Sequence, residues 1–139
     1  MNLFIQNLES LFMRSFENIL IDLEDADIDL ILSNRDLYVF SNSWARAYKE
    51  IKKKPVNNQE QKQIDEIRKD IFMRVFSKTN SSDLSAYISD DFELICFHLL
   101  GNYRNKWVTT LCAAYFTSQI PQGKLVASDK TLQELISNQ

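Results

Sequence analysis

Glycine and proline, the residues that close turns and break helices, number only two each in 139 residues. An all-β protein needs many more turn formers, so their scarcity points to an all-α fold. Cysteine is as rare: Cys96 and Cys112 stand alone, without a CxxC spacing or a His-rich neighbourhood. That excludes a disulfide framework and a zinc site, and both residues read as reduced core cysteines. Long apolar runs are missing too, since no stretch reaches the roughly 18 residues that span a bilayer. The first residues, MNLFIQNLESLF, lack a positive n-region and are interrupted by Gln6, Asn7 and Glu9, unlike a signal peptide. The expectation is a soluble, cytoplasmic protein. Positive charge is in deficit, with a formal net charge of −3 and a pI near 5.2. A protein that binds nucleic acid directly gains affinity by neutralising phosphates, so this balance argues against that role and for a basic protein partner.

What the chain does have is core material: 45% apolar residues, including nine Phe, five Tyr and two Trp. Its length suits one domain, residues 1–139, able to bury a core without disulfide or metal staples. Leu8, Leu11, Phe12, Phe16, Ile19, Leu20 and Leu23 recur at three-and-four spacing, which predicts a long first helix from Leu3 to about Leu23. Ile28 to Leu32 is too short for its period to separate helix from strand. Leu37, Phe40, Trp44, Tyr48 and Ile51 predict a second long helix, capped at Ser33 or Asn34 and running into Lys52, Lys53 and Lys54. The competing reading is α+β, with residues 28–40 forming a hairpin across Ser33–Asp36. Pro55 breaks the chain, and a third helix follows through Ile64, Ile67, Ile71, Val75 and Phe76.

Lys78 to Asp83 reads as a loop ending in a cap, and Ser89-Asp90-Asp91 as a further helix start before Phe92. Gly101 is placed where a left-handed C-terminal cap would sit. Trp107, Leu111, Ala114 and Tyr115 define another helix ended by Pro121 and Gly123, and Ser128 caps a last one through Leu132, Leu135 and Ile136. The expected architecture is an irregular bundle of about five to seven helices. The pair at residues 91–100 and 103–118 has the helix-turn-helix shape of a HEAT-type unit.

Chemistry is harder to find. The segment DLEDADIDL places Asp22, Glu24, Asp25, Asp27 and Asp29 within eight residues. With Asp25 as first ligand it resembles an EF-hand loop in part, Asp27, Asp29 and Asp36 following at the third, fifth and twelfth positions. Leu30, however, occupies the glycine position, where a left-handed turn costs a non-glycine residue roughly 1 kcal/mol or more. Paired carboxylates for acid–base work would need a phosphate loop or metal-ligand histidines, and neither is present. The single histidine, His98, sits in an apolar helix and reads as a hydrogen-bonded, partly buried residue. Arg46, Lys49 and Lys52–Lys54 read as a solvated helix end, with Trp44 and Tyr48 turned to the core. No catalytic residue, metal site or cofactor is expected.

The acidic segment remains as a surface for a basic protein, and Asp83, Asp90, Asp91 and Glu93 form a second acidic cluster that the fold can bring near it. In overall character, across the whole chain, this small acidic helical protein without a catalytic constellation resembles the immunity and antitoxin proteins of bacterial toxin systems. The resemblance implies a non-enzymatic inhibitor that occludes a basic partner, such as a nuclease toxin. Asp22, Glu24, Asp25, Asp27, Asp29, Asp90, Asp91 and Glu93 would then face the partner, with an exposed aromatic such as Tyr103 as anchor. Two other readings stay open: a helical adaptor or scaffold subunit, and a calcium-binding regulatory module.

Overall fold

The computed structural model describes residues 1–51 and 56–139, and among these it holds eight helices and no strand. Lys52–Lys54 and Pro55, read as a helix end and a break, lie outside the described residues. The fold is an all-α bundle. The first expected helix is two: α1 (Leu3–Arg14) and α2 (Phe16–Leu23). The joint is Ser15, whose hydroxyl donates to the Phe116 carbonyl at 3.0 Å while its own carbonyl accepts from Ser118 Oγ at 3.4 Å. Both halves keep one apolar face, and Phe12 meets Phe16, Phe92 and Tyr115 with ring centroids 5.5, 5.2 and 4.6 Å apart.

The hairpin reading gives way to α3 (Ile28–Asp36) and α4 (Tyr38–Ile51). Asp27 starts α3 by accepting from the Leu30 amide at 3.1 Å, which satisfies one of the orphan donors of a first turn. Ser33 and Asn34 are therefore inside a helix rather than caps. Leu37 alone is extended, and its carbonyl takes the amides of Phe40 and Ser41, both at 2.9 Å, to begin α4.

α5 (Asn58–Thr79) opens with a capping box between Asn57 and Glu60 and buries Ile64, Ile67, Ile71 and Val75. The loop expected from Lys78 to Asp83 shrinks to two residues. Asn80 takes the left-handed conformation at φ 54°, and Ser81 caps α6 (Ser82–Leu100) by accepting from Leu84. α6 runs unbroken through Ser89-Asp90-Asp91, so no helix starts there. Ten of its 19 residues are buried over a broad arc, as a helix packed by several neighbours requires, and only the face through Asp83, Ala86, Asp90, Glu93 and Phe97 holds no buried residue.

Gly101 also differs from expectation. It has an ordinary φ of −82°, and the left-handed position belongs to Asn102 at 53°. What position 101 requires is the absence of a side chain, because a Cβ there would overlap the Tyr103 ring. α7 (Lys106–Phe116) stops well before Pro121, at Thr117 and a left-handed Ser118. α8 (Leu132–Ser137) is capped by Thr131, with Glu134 closing a capping box, rather than by Ser128. Between them, residues 117–130 cross the bundle as a non-helical strap fastened to α3, where the Gly123 amide donates to the Asn34 carbonyl at 3.1 Å. No described helix is long and apolar enough to cross a membrane.

Candidate functional site

The acidic segment forms the corner between α2 and α3, and Asp22, Glu24, Asp25, Asp27 and Asp29 are all exposed. Its rise into α3 explains why the carboxylates do not curl around an ion. An EF-hand loop must wrap its ligands over twelve residues, whereas residues 28–36 are helical here and Asp27 is spent on the cap. Glu24 binds Lys78 Nζ at 2.7 Å, and this contact holds the Lys78 ammonium above its ordinary value. Asp22, Asp25 and Asp29 have no ion-pair partner among the described residues. A groove of about 430 Å³ opens beside Asp22, lined by apolar Ile19, Leu23, Ala26, Ile31, Ile120 and Leu125.

The second cluster is split by the pitch of α6. Asp83 is exposed in its first turn, while Asp90 and Glu93 turn toward α5 and share Arg68 at 2.5 and 2.7 Å. Partial burial raises the Asp90 carboxyl above its usual range against the pull of Arg68. Asp91 points the other way and is fully buried, so it cannot touch a partner. It accepts two hydrogen bonds from Arg35, each at 2.8 Å, one from the Trp44 indole at 2.9 Å and one from the Tyr115 hydroxyl at 2.5 Å. Arg35 Nη1 also donates to the Pro121 carbonyl at 3.0 Å, and its guanidinium lies over the Phe40 ring, 4.6 Å from the centroid.

Burial alone would weaken the Arg35 charge, but Asp91 outweighs it and holds the guanidinium above its ordinary value. Burial, then the Asp91 charge, pushes the Tyr115 phenol well up, so Tyr115 stays a neutral donor. This network joins α3, α4, α6, α7 and the strap. Sequence reading missed it, although Asp91 falls on the Leu84, Ile88, Ile95 stripe at helical spacing, which is a signal of burial.

Tyr103 is half-buried rather than exposed, packed on the core 5.2 Å from the His98 ring, with its hydroxyl buried and unbonded. It is no surface anchor. His98 is buried and bonds the Ala47 carbonyl through Nε2 at 3.0 Å, as its apolar setting implied, and burial lowers its basicity. Cys96 and Cys112 are both free and buried, and burial pushes both thiols up, leaving them protonated. Trp44 packs on the core as expected, but Tyr48 is more exposed than the stripe suggested and stacks on Trp44 at 5.6 Å.

No curated protein matches this sequence. The family model described as Immunity protein PIM1 matches residues 8–122, which include the acidic corner, Arg35, Asp91 and Tyr115 and stop one residue beyond Pro121. With well over half its length matched, this chain belongs to the Immunity protein PIM1 family.

Proposed function

We propose that the protein is a non-enzymatic inhibitor that binds a cognate basic toxin, such as a nuclease, and blocks it with the acidic corner between α2 and α3. In this reading residues 1–139 act as a single domain in the cytoplasm, apart from membranes and without touching nucleic acid directly. The observation that carries it is the pairing of exposed Asp22, Asp25 and Asp29, without an ion-pair partner among the described residues, with a mostly apolar groove, in a chain of an immunity family. Carboxylates speed encounter with a basic surface and discriminate against wrong partners, while apolar burial supplies most of the binding energy. Asp83 adds to the same field. Asp90 and Glu93 add less, because Arg68 offsets them.

The test is neutralisation. The chain is co-expressed with the product of the neighbouring gene, first as wild type and then with Asp22, Asp25, Asp27 and Asp29 changed to Asn and Glu24 to Gln. Wild type should protect, and the variant should associate at least tenfold more slowly at low salt and with a shallower salt dependence. A harmless neighbour, or equal protection by the variant, refutes the proposal.

A further inference from the structure

α3 carries a second recess at its other end. Arg35, Asp36, Phe40, Ser41, Trp44, Tyr87 and Asp90 line a pocket of about 180 Å³, and the Arg35 guanidinium already lies 5.3 Å from the centre of the Tyr87 ring. Small-molecule sites occupy roughly 300–1,000 Å³, so this one suits a single inserted side chain. Its charge is unbalanced. The Arg35 cation is already matched by Asp91, and among the described residues Asp36 has only the Tyr87 hydroxyl, at 3.5 Å. Asp90 shares Arg68 with Glu93 and Asp65, one cation for three carboxylates.

Aromatic faces beside Asp36, with no ion pair among the described residues, and Asp90, whose one cation is shared, together favour a flat cation. An incoming guanidinium can lie beside Arg35 against this aromatic lining and donate to both acids, as paired guanidinium planes do, which a lysine ammonium cannot do with the same geometry. The rim has anchor character as well. Leu37, Tyr38 and Val39, directly after Asp36, are 50, 77 and 42% exposed, three large apolar residues in succession on a solvent-facing elbow. A desolvated Arg contact ringed by apolar and aromatic residues is the usual make-up of an interface hot spot. α3 is nine residues long, about 13 Å, so the acidic corner and this pocket fit within one ordinary interface.

We propose that this pocket receives one arginine side chain of the toxin, its guanidinium between Asp36 and Asp90 and its stem against Tyr87, with Tyr38 packing on the toxin beside it. The inference rests on the toxin-binding reading and names where that interface is centred.

Toxin affinity is measured for Asp36→Asn, for Ser41→Trp, which fills the pocket without changing charge, and for Asp129→Asn, an exposed acid before α8. The first should lose about tenfold and the second more than a hundredfold, with melting temperatures near wild type, while the third binds unchanged. Equal binding by Asp36→Asn and Ser41→Trp overturns the proposal. A second arm needs no toxin: the Trp44 indole N–H resonance is followed during titration with N-acetyl-arginine amide or N-acetyl-glutamine amide. A shift for arginine alone supports the pocket even if the wild type binds no toxin, a result that would sink only the inhibitor reading. No shift, or an equal shift with the neutral amide seated on the unbonded Arg35 Nε, overturns the arginine assignment.

Discussion

Replacing Asp91 by Leu removes the acceptor of four hydrogen bonds at once and strands the Arg35 charge in the core. Breaking a buried ion pair from one side costs about 3–5 kcal/mol. Leaving the Trp44 indole and the buried Tyr115 hydroxyl without an acceptor adds about 1–3 kcal/mol each. The expected loss is therefore at least about 5 kcal/mol, against a total stability of roughly 5–15 kcal/mol for a domain. Asp91→Leu should be largely unfolded or close to it. Arg35→Met should cost about 3–5 kcal/mol, because the surviving carboxylate keeps Trp44 and Tyr115. The triple variant Arg35→Met, Asp91→Leu, Tyr115→Phe removes the charge, its counter-charge and one orphan donor together, and should recover to within about 2 kcal/mol of wild type. Urea unfolding followed by tryptophan fluorescence gives each value. A loss under about 1 kcal/mol for Arg35→Met, or a triple variant as unstable as the sum of its parts, would show that the pair is not what holds these elements together.

His98 sets a pH dependence whose sign follows from its lowered basicity in the fold. The unfolded chain takes up a proton first as pH falls through the ordinary histidine value of 6.5, so stability should decline below that point and be flat above it. Chemical denaturation between pH 7.5 and 5 checks this, and a His98→Gln variant should flatten the slope; an unchanged slope would assign it elsewhere. Gly101→Ala should destabilise by about 1–3 kcal/mol through the clash with Tyr103, and Asn102→Gly should stabilise by about 0.5–1 kcal/mol by relieving the left-handed strain, both read from melting curves.

The helices were legible wherever apolar residues kept a continuous stripe. α1, α2, α5 and α7 follow from Leu8–Leu23, Ile64–Val75 and Trp107–Tyr115, and the shortage of glycine and proline correctly pointed away from an all-β fold. The errors share a cause. Ser89-Asp90-Asp91 looks like a helix start because a polar triplet usually is one, yet Asp91 is polar for the sake of Arg35, 56 residues away. No local window contains that partner. Tyr103 looked exposed because its neighbours are polar, whereas its ring lies on the open Cα of Gly101. Of the acidic cluster, exposure at Asp22–Asp29 could be read from composition; the burial of Asp91 required the tertiary pair.

The grip of Pro121 on Arg35 also governs how the protein is made. A ribosome that has just placed Arg35 must add 86 more residues before the last of its acceptors exists. At 5–20 residues per second that takes roughly 4–17 seconds, and for the first 56 of those residues, until Asp91 is made, α3 carries a cation without its counter-charge. Nascent chains stalled short of residue 121 should thus remain protease-sensitive at α3, and the native interior should form only once the strap has left the exit tunnel.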